Sequence, residues 1–105
     1  GTGILPKEDA LRLGVVGPVA RGSGLALDVR KESPYAAYGK VDFDIVTRDG
    51  CDLYARTCVR LHEIPESIKI LRQVVRDMPE GPFRTHMTRI FPSEAIARTE
   101  APRGE

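Results

Sequence analysis

Residues 51–78 read CDLYARTCVRLHEIPESIKILRQVVRDM, and this stretch decides the fold of the 105-residue chain. Its large apolar side chains recur at steps of three and four residues, which is the spacing of one stripe on an α-helix. We therefore expect a helix roughly 40 Å long that acts as a spine, with the stripe packed as core. The stripe comprises Leu61, Ile64, Ile68, Leu71, Val75 and Met78, and Tyr54 and Thr57 extend it toward the start.

Proline marks two points of this helix. Pro65 lies inside the pattern and lacks a backbone donor, so we expect a kink or a break between Leu61 and Ile64. The sequence Pro-Glu-Gly-Pro at residues 79–82 ends the helix at Met78. Only about two and a half heptads follow Pro65, fewer than a coiled coil needs, so the pattern favours a core helix.

Composition excludes several classes of protein. The chain has 41% hydrophobic and 30% charged residues, which is ordinary for a single small soluble domain. It has no apolar run long enough to span a bilayer. With 16 basic and 15 acidic residues the net charge is +1, so there is no basic field for nucleic acid. Cys51 and Cys58 form no disulfide framework and indicate free thiols in a reducing compartment.

The other elements are short. Residues 6–13 form a predicted helix with proline at its start, acidic residues in its first turn and Gly14 after its end. Alternation of apolar and polar residues predicts a strand or hairpin at 41–46, and a second strand at 98–101. The predicted fold is mainly α with a small β element.

The glycine-rich loop at residues 17–24 does not match the known phosphate-binding motifs. It lacks the lysine of a Walker A motif, because Gly22 is followed by Ser23 and Gly24. Its glycine spacing also differs from the dinucleotide fingerprint. Arg21, Asp28 and Arg30 could form a charge cluster around this loop, or they could be surface ion pairs of little energy.

Cys58 and His62 lie one helical turn apart and could supply two ligands to a metal. A tetrahedral site needs further ligands, and the other histidine, His86, lies beyond the proline-rich turn. We therefore expect buried thiols and a polar histidine at the helix flank, and no metal site.

Residues 79–105 lose periodicity and end in Ala-Pro-Arg-Gly-Glu. Pro102 fixes the entry to a turn and Gly104 frees its exit, so Arg103 is aimed between them. Aimed arginines commonly bind anions or carboxylates. We expect this bend and the bend at residues 17–24 to lie close together.

The ordered set of motifs resembles the 49 kDa subunit of respiratory complex I and the large subunits of membrane-bound nickel-iron hydrogenases. Arg103 is similar to the arginine of the hydrogenase Ala-Pro-Arg-Gly motif, where the complex I subunit typically has lysine, so the hydrogenase branch is favoured. The resemblance covers nearly the whole chain and rests on the glycine-rich segment 14–30, Pro34-Tyr35, Asp42-Phe43-Asp44, Asp52-x-Tyr54-x-Arg56 and the closing residues 100–105.

The resemblance implies an internal to C-terminal fragment of an oxidoreductase subunit, divided into short elements (1–50), a long scaffold helix (51–78) and an irregular tail (79–105). Arg103 and Glu100 would be catalytic, with Glu100 orienting Arg103 or passing protons. Pro102 would join Arg103 in the wall of the active cavity. Residues Arg21, Ser23, Asp28 and Arg30 would belong to a loop that faces the membrane-side partner or the cavity entrance, or to a turn that serves packing alone.

The family's nickel ligands are two cysteine pairs, and neither pair is present in this chain. The resemblance therefore implies no cofactor in this fragment, a nickel-iron centre or quinone in the parent subunit, and an iron-sulfur cluster in a partner small subunit. Further partners would be membrane subunits, with the complex peripheral on the cytoplasmic face. The alternatives are NADH:quinone chemistry, or a non-catalytic interaction module that kept the family scaffold. Exposed apolar faces predict self-association of the isolated fragment.

Overall fold

The computed structural model describes all 105 residues as a flat, elongated chain with extents of 55 × 36 × 18 Å. It is mainly helical, as predicted. Four α-helices and one 3-10 turn account for the regular structure, and α4 is by far the longest. The elements are α1 (Lys7–Arg12), α2 (Gly17–Arg21), α3 (Val29–Glu32), the 3-10 turn (Tyr38–Lys40) and α4 (Leu53–Arg76).

Helix α4 is continuous for 24 residues, or about 36 Å. The Asp52 carboxylate caps its first turn by accepting a hydrogen bond of 2.8 Å from the Ala55 amide. Pro65 lies within the helix without ending it, so the predicted break is wrong. The predicted bounds of 51–78 are each two residues too wide. No helix of the chain is both long enough and apolar enough to cross a bilayer.

The apolar stripe of α4 does not form the core of this chain. Its large apolar members are 44–76% exposed, so the prediction that they pack as core is wrong. The residues of α4 that are buried are Ala55 and Val59, about 200° around the helix from Thr57 and Leu61. These small side chains let α2 approach so closely that a Cβ atom on Gly22 would lie 2.8 Å from Arg56 Cγ.

Helix α2 replaces much of the predicted glycine-rich loop. Pro18 stands in its first turn, where a missing backbone donor costs nothing. The helix lies between α1 and α4, and its Ala20 forms a small core with Ala10 of α1 and Leu25. The loop prediction is therefore wrong for residues 17–21, and right only for the turn at 22–24.

The predicted strand at 41–46 begins with an extended residue, Val41, but pairs with no other strand. Side chains of α4 take the place of a partner strand. Gln73 Oε1 accepts a hydrogen bond of 2.8 Å from the Asp42 amide, and Gln73 Nε2 donates one of 2.6 Å to the Asp42 carbonyl oxygen. Glu66 Oε2 accepts a bond of 2.8 Å from the Asp44 amide. The predicted alternation is confirmed, since Phe43 is 1% exposed between exposed aspartates, but the strand assignment is wrong.

The tail from residue 79 to residue 99 is exposed and forms no helix or strand. Its predicted strand at 98–101 is also wrong, because the bridges in this region join Ala101 and Pro102 only to Gly104. They belong to a tight turn. The tail thus returns the chain from the far end of α4 to α2.

Candidate functional site

The site forms where the two predicted bends meet. A Cβ atom on Gly17 would lie 2.3 Å from Gly104 Cα, and one on Gly104 would lie 3.0 Å from the Gly17 nitrogen. Both glycines have positive φ, +66° and +121°. Only glycine allows this approach of two backbones, and the prediction that the bends lie together is confirmed.

The turn at residues 101–104 is closed by two hydrogen bonds. The Ala101 amide donates to the Gly104 carbonyl oxygen at 3.1 Å, and the Gly104 amide donates to the Ala101 carbonyl oxygen at 3.0 Å. Pro102 and Arg103 are therefore held at the corner of the turn. The side chain of Arg103 is exposed, and it has no carboxylate partner in the chain.

Arg21 is the buried centre of a charge cluster, which comprises Arg21, Asp28, Arg30, Glu63 and Glu100. The Arg21 residue is 2% exposed. Its Nε atom lies 2.7 Å from Glu63 Oε1, and its Nη2 atom lies 2.8 Å from Glu100 Oε1. Its Nη1 atom donates a hydrogen bond of 2.9 Å to the Leu27 carbonyl oxygen. One guanidinium thus joins α2, α4 and the tail.

Asp28 and Arg30 complete the charge cluster beside Arg21. Arg30 donates from Nε and Nη2 to the two carboxylate oxygens of Asp28, at 2.9 and 2.6 Å. Asp28 also caps α3, since its Oδ1 accepts from the Arg30 amide at 3.0 Å. Asp28 Oδ2 lies 3.6 Å from Arg21 Nη1. The predicted cluster is confirmed, and it is buried, so the alternative of surface ion pairs is wrong.

Glu100 does not contact Arg103, contrary to the expectation that it orients that residue. Its carboxylate is bound to Arg21, and its amide donates a hydrogen bond of 3.0 Å to the hydroxyl oxygen of Tyr35. Glu100 therefore holds the start of the Arg103 turn against Arg21 and Tyr35, and does not orient the Arg103 side chain directly. Ser23 also lies outside the charge cluster, because its hydroxyl donates to the Leu5 carbonyl oxygen at 2.8 Å.

A cleft of about 420 Å³ opens beside the charge cluster. Pro102 lines this cleft, whereas Arg103 does not. Sequence reasoning missed Glu63, Arg60 and Ser67, which α4 contributes to the cleft. The available signal was the spacing of Ala55, Val59 and Glu63 at steps of four, which the larger apolar stripe concealed. The residues lining the cleft are Arg21, Arg30, Arg60, Glu63, Ile64, Ser67, Glu100, Ala101 and Pro102.

The pKa values of two acids in the charge cluster, Glu63 and Asp28, are shifted in opposite directions. Burial raises the pKa of the Glu63 carboxyl above its ordinary value, and the nearby positive charge of Arg21 opposes this only in part. Burial also acts to raise the pKa of Asp28, but the hydrogen bonds from Arg30 outweigh it and hold that pKa below its ordinary value. The hydrogen bond to Asp28 raises the pKa of Arg30, which stays charged.

The chain shows no group of three or more His, Cys, Asp or Glu side chains arranged to hold a metal ion. Cys51 and Cys58 are free thiols, and both are half-buried. His62 Nδ1 lies 2.7 Å from the carbonyl oxygen of Cys58 rather than near its sulfur. These residues therefore do not fit the two-pair cysteine set of a nickel-iron centre.

Comparison with known proteins gives a consistent result. The family described as respiratory-chain NADH dehydrogenase, 49 Kd subunit, matches residues 1–103. The carbon monoxide-induced hydrogenase of Rhodospirillum rubrum is 47% identical over 100% of the chain, which spans 29% of that relative. An NADH-quinone oxidoreductase subunit of Desulfitobacterium hafniense (strain Y51) is 45% identical over 98% of the chain, again 29% of the relative.

A solved structure agrees with these relatives. The membrane-bound sulfane sulfur reductase, an archaeal respiratory membrane complex, contains a chain of similar fold, with a TM-score of 0.76 and 37% identity. The match covers 84% of the present chain and 24% of that one, so the chain spans less than a third of the proteins it resembles. From the family match over nearly its whole length, the chain is a member of the 49 kDa subunit family of respiratory-chain NADH dehydrogenase.

Proposed function

We propose that this chain is part of the large subunit of a membrane-associated oxidoreductase complex, where it forms one wall of the active cavity. In the intact complex, electrons from an iron-sulfur cluster of a neighbouring small subunit would reduce protons or quinone. Membrane subunits would couple this reaction to ion movement. The proposal is supported by the family match and by relatives named as a hydrogenase and as NADH-quinone oxidoreductase subunits.

The observation that carries the proposal is the fixed position of Arg103. Two hydrogen bonds close its turn, and the contact between Gly17 and Gly104 holds the turn against α2. The Arg103 guanidinium has no partner within the chain, so it is free to face a group outside it. A cation that is aimed before the reaction begins stabilises developing negative charge without reorganisation.

In this role Arg103 would bind and orient an electron-rich group of the substrate or cofactor. Its guanidinium stays charged at every relevant pH. Pro102 would limit the motion of the turn and line the neighbouring cleft. The ligands of a nickel-iron centre would come from other parts of the subunit, because the present residues do not fit them.

The test is the Arg103→Ala variant of the intact complex. Turnover should fall by about 10²-fold or more, as when a preorganised donor is removed, while the subunit still assembles. Arg84→Ala is a matched control, since Arg84 lies in the exposed tail, and its turnover should be unchanged. Equal turnover of the Arg103→Ala variant and the wild type would remove Arg103 from the site and favour a non-catalytic scaffold.

The hydrogenase and quinone branches are separated by the remainder of the reading frame and by assay. Pairs of Cys-x-x-Cys before and after this segment would support hydrogenase chemistry, and hydrogen evolution from a reduced dye would then be expected. Their absence, with quinone reduction in membranes, would support the quinone branch. Arginine at position 103 favours the hydrogenase branch. In either case we propose a peripheral position on the cytoplasmic face of the membrane.

A further inference from the structure

Glu63 and Glu100 reach the same guanidinium from distant parts of the chain. Glu63 lies on α4 and Glu100 in the tail, and each approaches Arg21 to within 2.8 Å. The third carboxylate of the charge cluster, Asp28, is already held by two hydrogen bonds from Arg30. Two glutamates therefore share one remaining cation.

The charge balance of the cluster is negative when every group is ionised. Within the cluster three carboxylates face two guanidiniums, which leaves one excess negative charge, and Arg60, which also lines the cleft, forms no ion pair with any of the three carboxylates. The side chains of Glu63 and Glu100 are 21% and 7% exposed, so solvent screens this charge poorly. Like charges at a buried site favour the binding of a proton by one of them.

Glu63 is the member of the pair best placed to bind that proton. Its Oε1 atom is buried and forms no hydrogen bond of normal geometry, although it lies close to Arg21. Glu100, in contrast, accepts a hydrogen bond from Arg21 Nη2. Burial and the charge of Glu100 both raise the pKa of Glu63, while Arg21 and Arg30 lower it.

Both glutamates line the cleft of about 420 Å³. Water in the cleft can therefore reach them without any opening of the fold. The other charged groups near Glu63 are Arg21 from α2, Arg30 from α3 and Arg60 from α4 itself, and Asp28 contacts the same Arg21 guanidinium. Ser67, also in the lining, provides a hydroxyl that can donate and accept a hydrogen bond.

We propose that Glu63 and Glu100 form a proton-exchange site, in which the pair takes one proton from water in the cleft and returns it there. Uptake converts the Glu63 carboxylate to the neutral acid and leaves Glu100 ionised on Arg21. Release restores the second carboxylate, and no electron is transferred. A negative charge that arrives in the cleft would favour uptake, and its departure would favour release. The site is distinct from the role proposed for Arg103 and can be tested on this chain alone.

The experiment is a pH titration of the chain with ¹³C-labelled glutamate side-chain carboxyl groups, followed by NMR. One glutamate should titrate above the ordinary range, and its signal should be missing in Glu63→Gln. In Glu100→Gln the same signal should titrate at lower pH, because a neighbouring negative charge has been removed. Glu8→Gln is the control, since Glu8 is exposed on α1, and it should leave the titration unchanged.

Three results would overturn the proposal. All glutamates of the wild type could titrate in the ordinary range, the high-titrating signal could persist in Glu63→Gln, or Glu100→Gln could leave it in place. Circular dichroism shows whether each variant is folded. If Glu63→Gln does not fold, the titrations of the wild type and of Glu100→Gln decide the question.

Discussion

Replacement of Arg21 by methionine should destabilise the chain more than any other single loss of charge. Methionine keeps much of the length and the apolar stem of arginine but removes the guanidinium. In the wild type this group lies within 2.7–3.6 Å of oxygen atoms from Glu63, Glu100 and Asp28. In the variant all three carboxylates remain, buried to different degrees. Glu63 and Glu100 lose the only cation with which they form an ion pair, and Asp28 loses one of two.

The expected cost is about 3–5 kcal/mol, which is typical when one partner of a buried ion pair is removed. The three contacts do not triple this value. Asp28 retains Arg30, and Glu63 can bind a proton and become neutral. For a domain of this size, with a total stability of about 5–15 kcal/mol, the loss is about a fifth of the total or more. The midpoint of thermal unfolding should fall by roughly 15 °C or more.

The assay is urea unfolding followed by circular dichroism, which reports the helical content of α4. Arg12→Met is the matched control. Arg12 pairs with Asp9 at 2.9 Å, but their side chains are 76% and 45% exposed, and such pairs contribute less than about 1 kcal/mol. The control should therefore unfold almost as the wild type does.

The pH dependence separates an electrostatic cause from a packing cause. As pH falls and the carboxylates become neutral, the variant loses its unpaired charges, whereas the wild type loses its ion pairs. The stability difference should therefore shrink toward low pH. A difference below about 1 kcal/mol at pH 7, or one that does not change with pH, would refute the reasoning.

Three further changes test the remaining features. Gly17→Ala should destabilise the chain by several kcal/mol in urea unfolding, because the added Cβ would meet Gly104. Gly14 is the matched control, since it has a similar φ of +63° and a Cβ added there would meet nothing within 4 Å. Gly14→Ala should therefore cost only about 1–2 kcal/mol. Cys51→Gly should stabilise the chain by up to about 1 kcal/mol, since Cys51 has a φ of +57°, which glycine adopts without strain. The control Cys58→Gly, within α4, should destabilise the chain by about 1 kcal/mol. Loss of stability in both variants would contradict the conclusion that the backbone is strained at Cys51. The pKa of Asp28 is lowered from its ordinary value of 3.8. The stability that the ionised Asp28 contributes is therefore present above the ordinary pKa and is lost as pH falls through the lowered one. Asp28→Asn should flatten the acid side of a plot of unfolding free energy against pH.

Patterns local to one element were readable from the sequence. The helix at residues 53–76, its end before the proline-rich turn, the helix after Pro6 and the buried position of Phe43 all follow from spacing and from end signals. The family resemblance assigned Glu100 to the catalytic pair with Arg103, and assigned Arg21, Asp28 and Arg30 to a separate loop. The structure brings these four residues together.

The predictions that the structure contradicts depend on contacts between elements. The sequence does not reveal that α4 turns Ala55 and Val59 toward α2, because hydrophobic periodicity identifies an apolar face but not what covers it. The prediction of a strand at 41–46 is wrong because alternation does not reveal which group accepts the backbone hydrogen bonds. Here the side chains of Gln73 and Glu66 accept hydrogen bonds that a partner strand would otherwise accept. Glu63 was overlooked because a single acid on a helix resembles any solvated residue.

Because Gly17 contacts Gly104, insertions and deletions should be tolerated differently in two neighbouring segments, residues 79–99 and residues 101–104. Between residues 79 and 99 the chain is exposed, so insertions or deletions there need not disturb the rest of the fold. One residue added between Ala101 and Gly104 would instead displace Arg103 by up to about 3.5 Å. Homologous chains should therefore vary freely in length before Glu100 and keep a fixed count of residues after it.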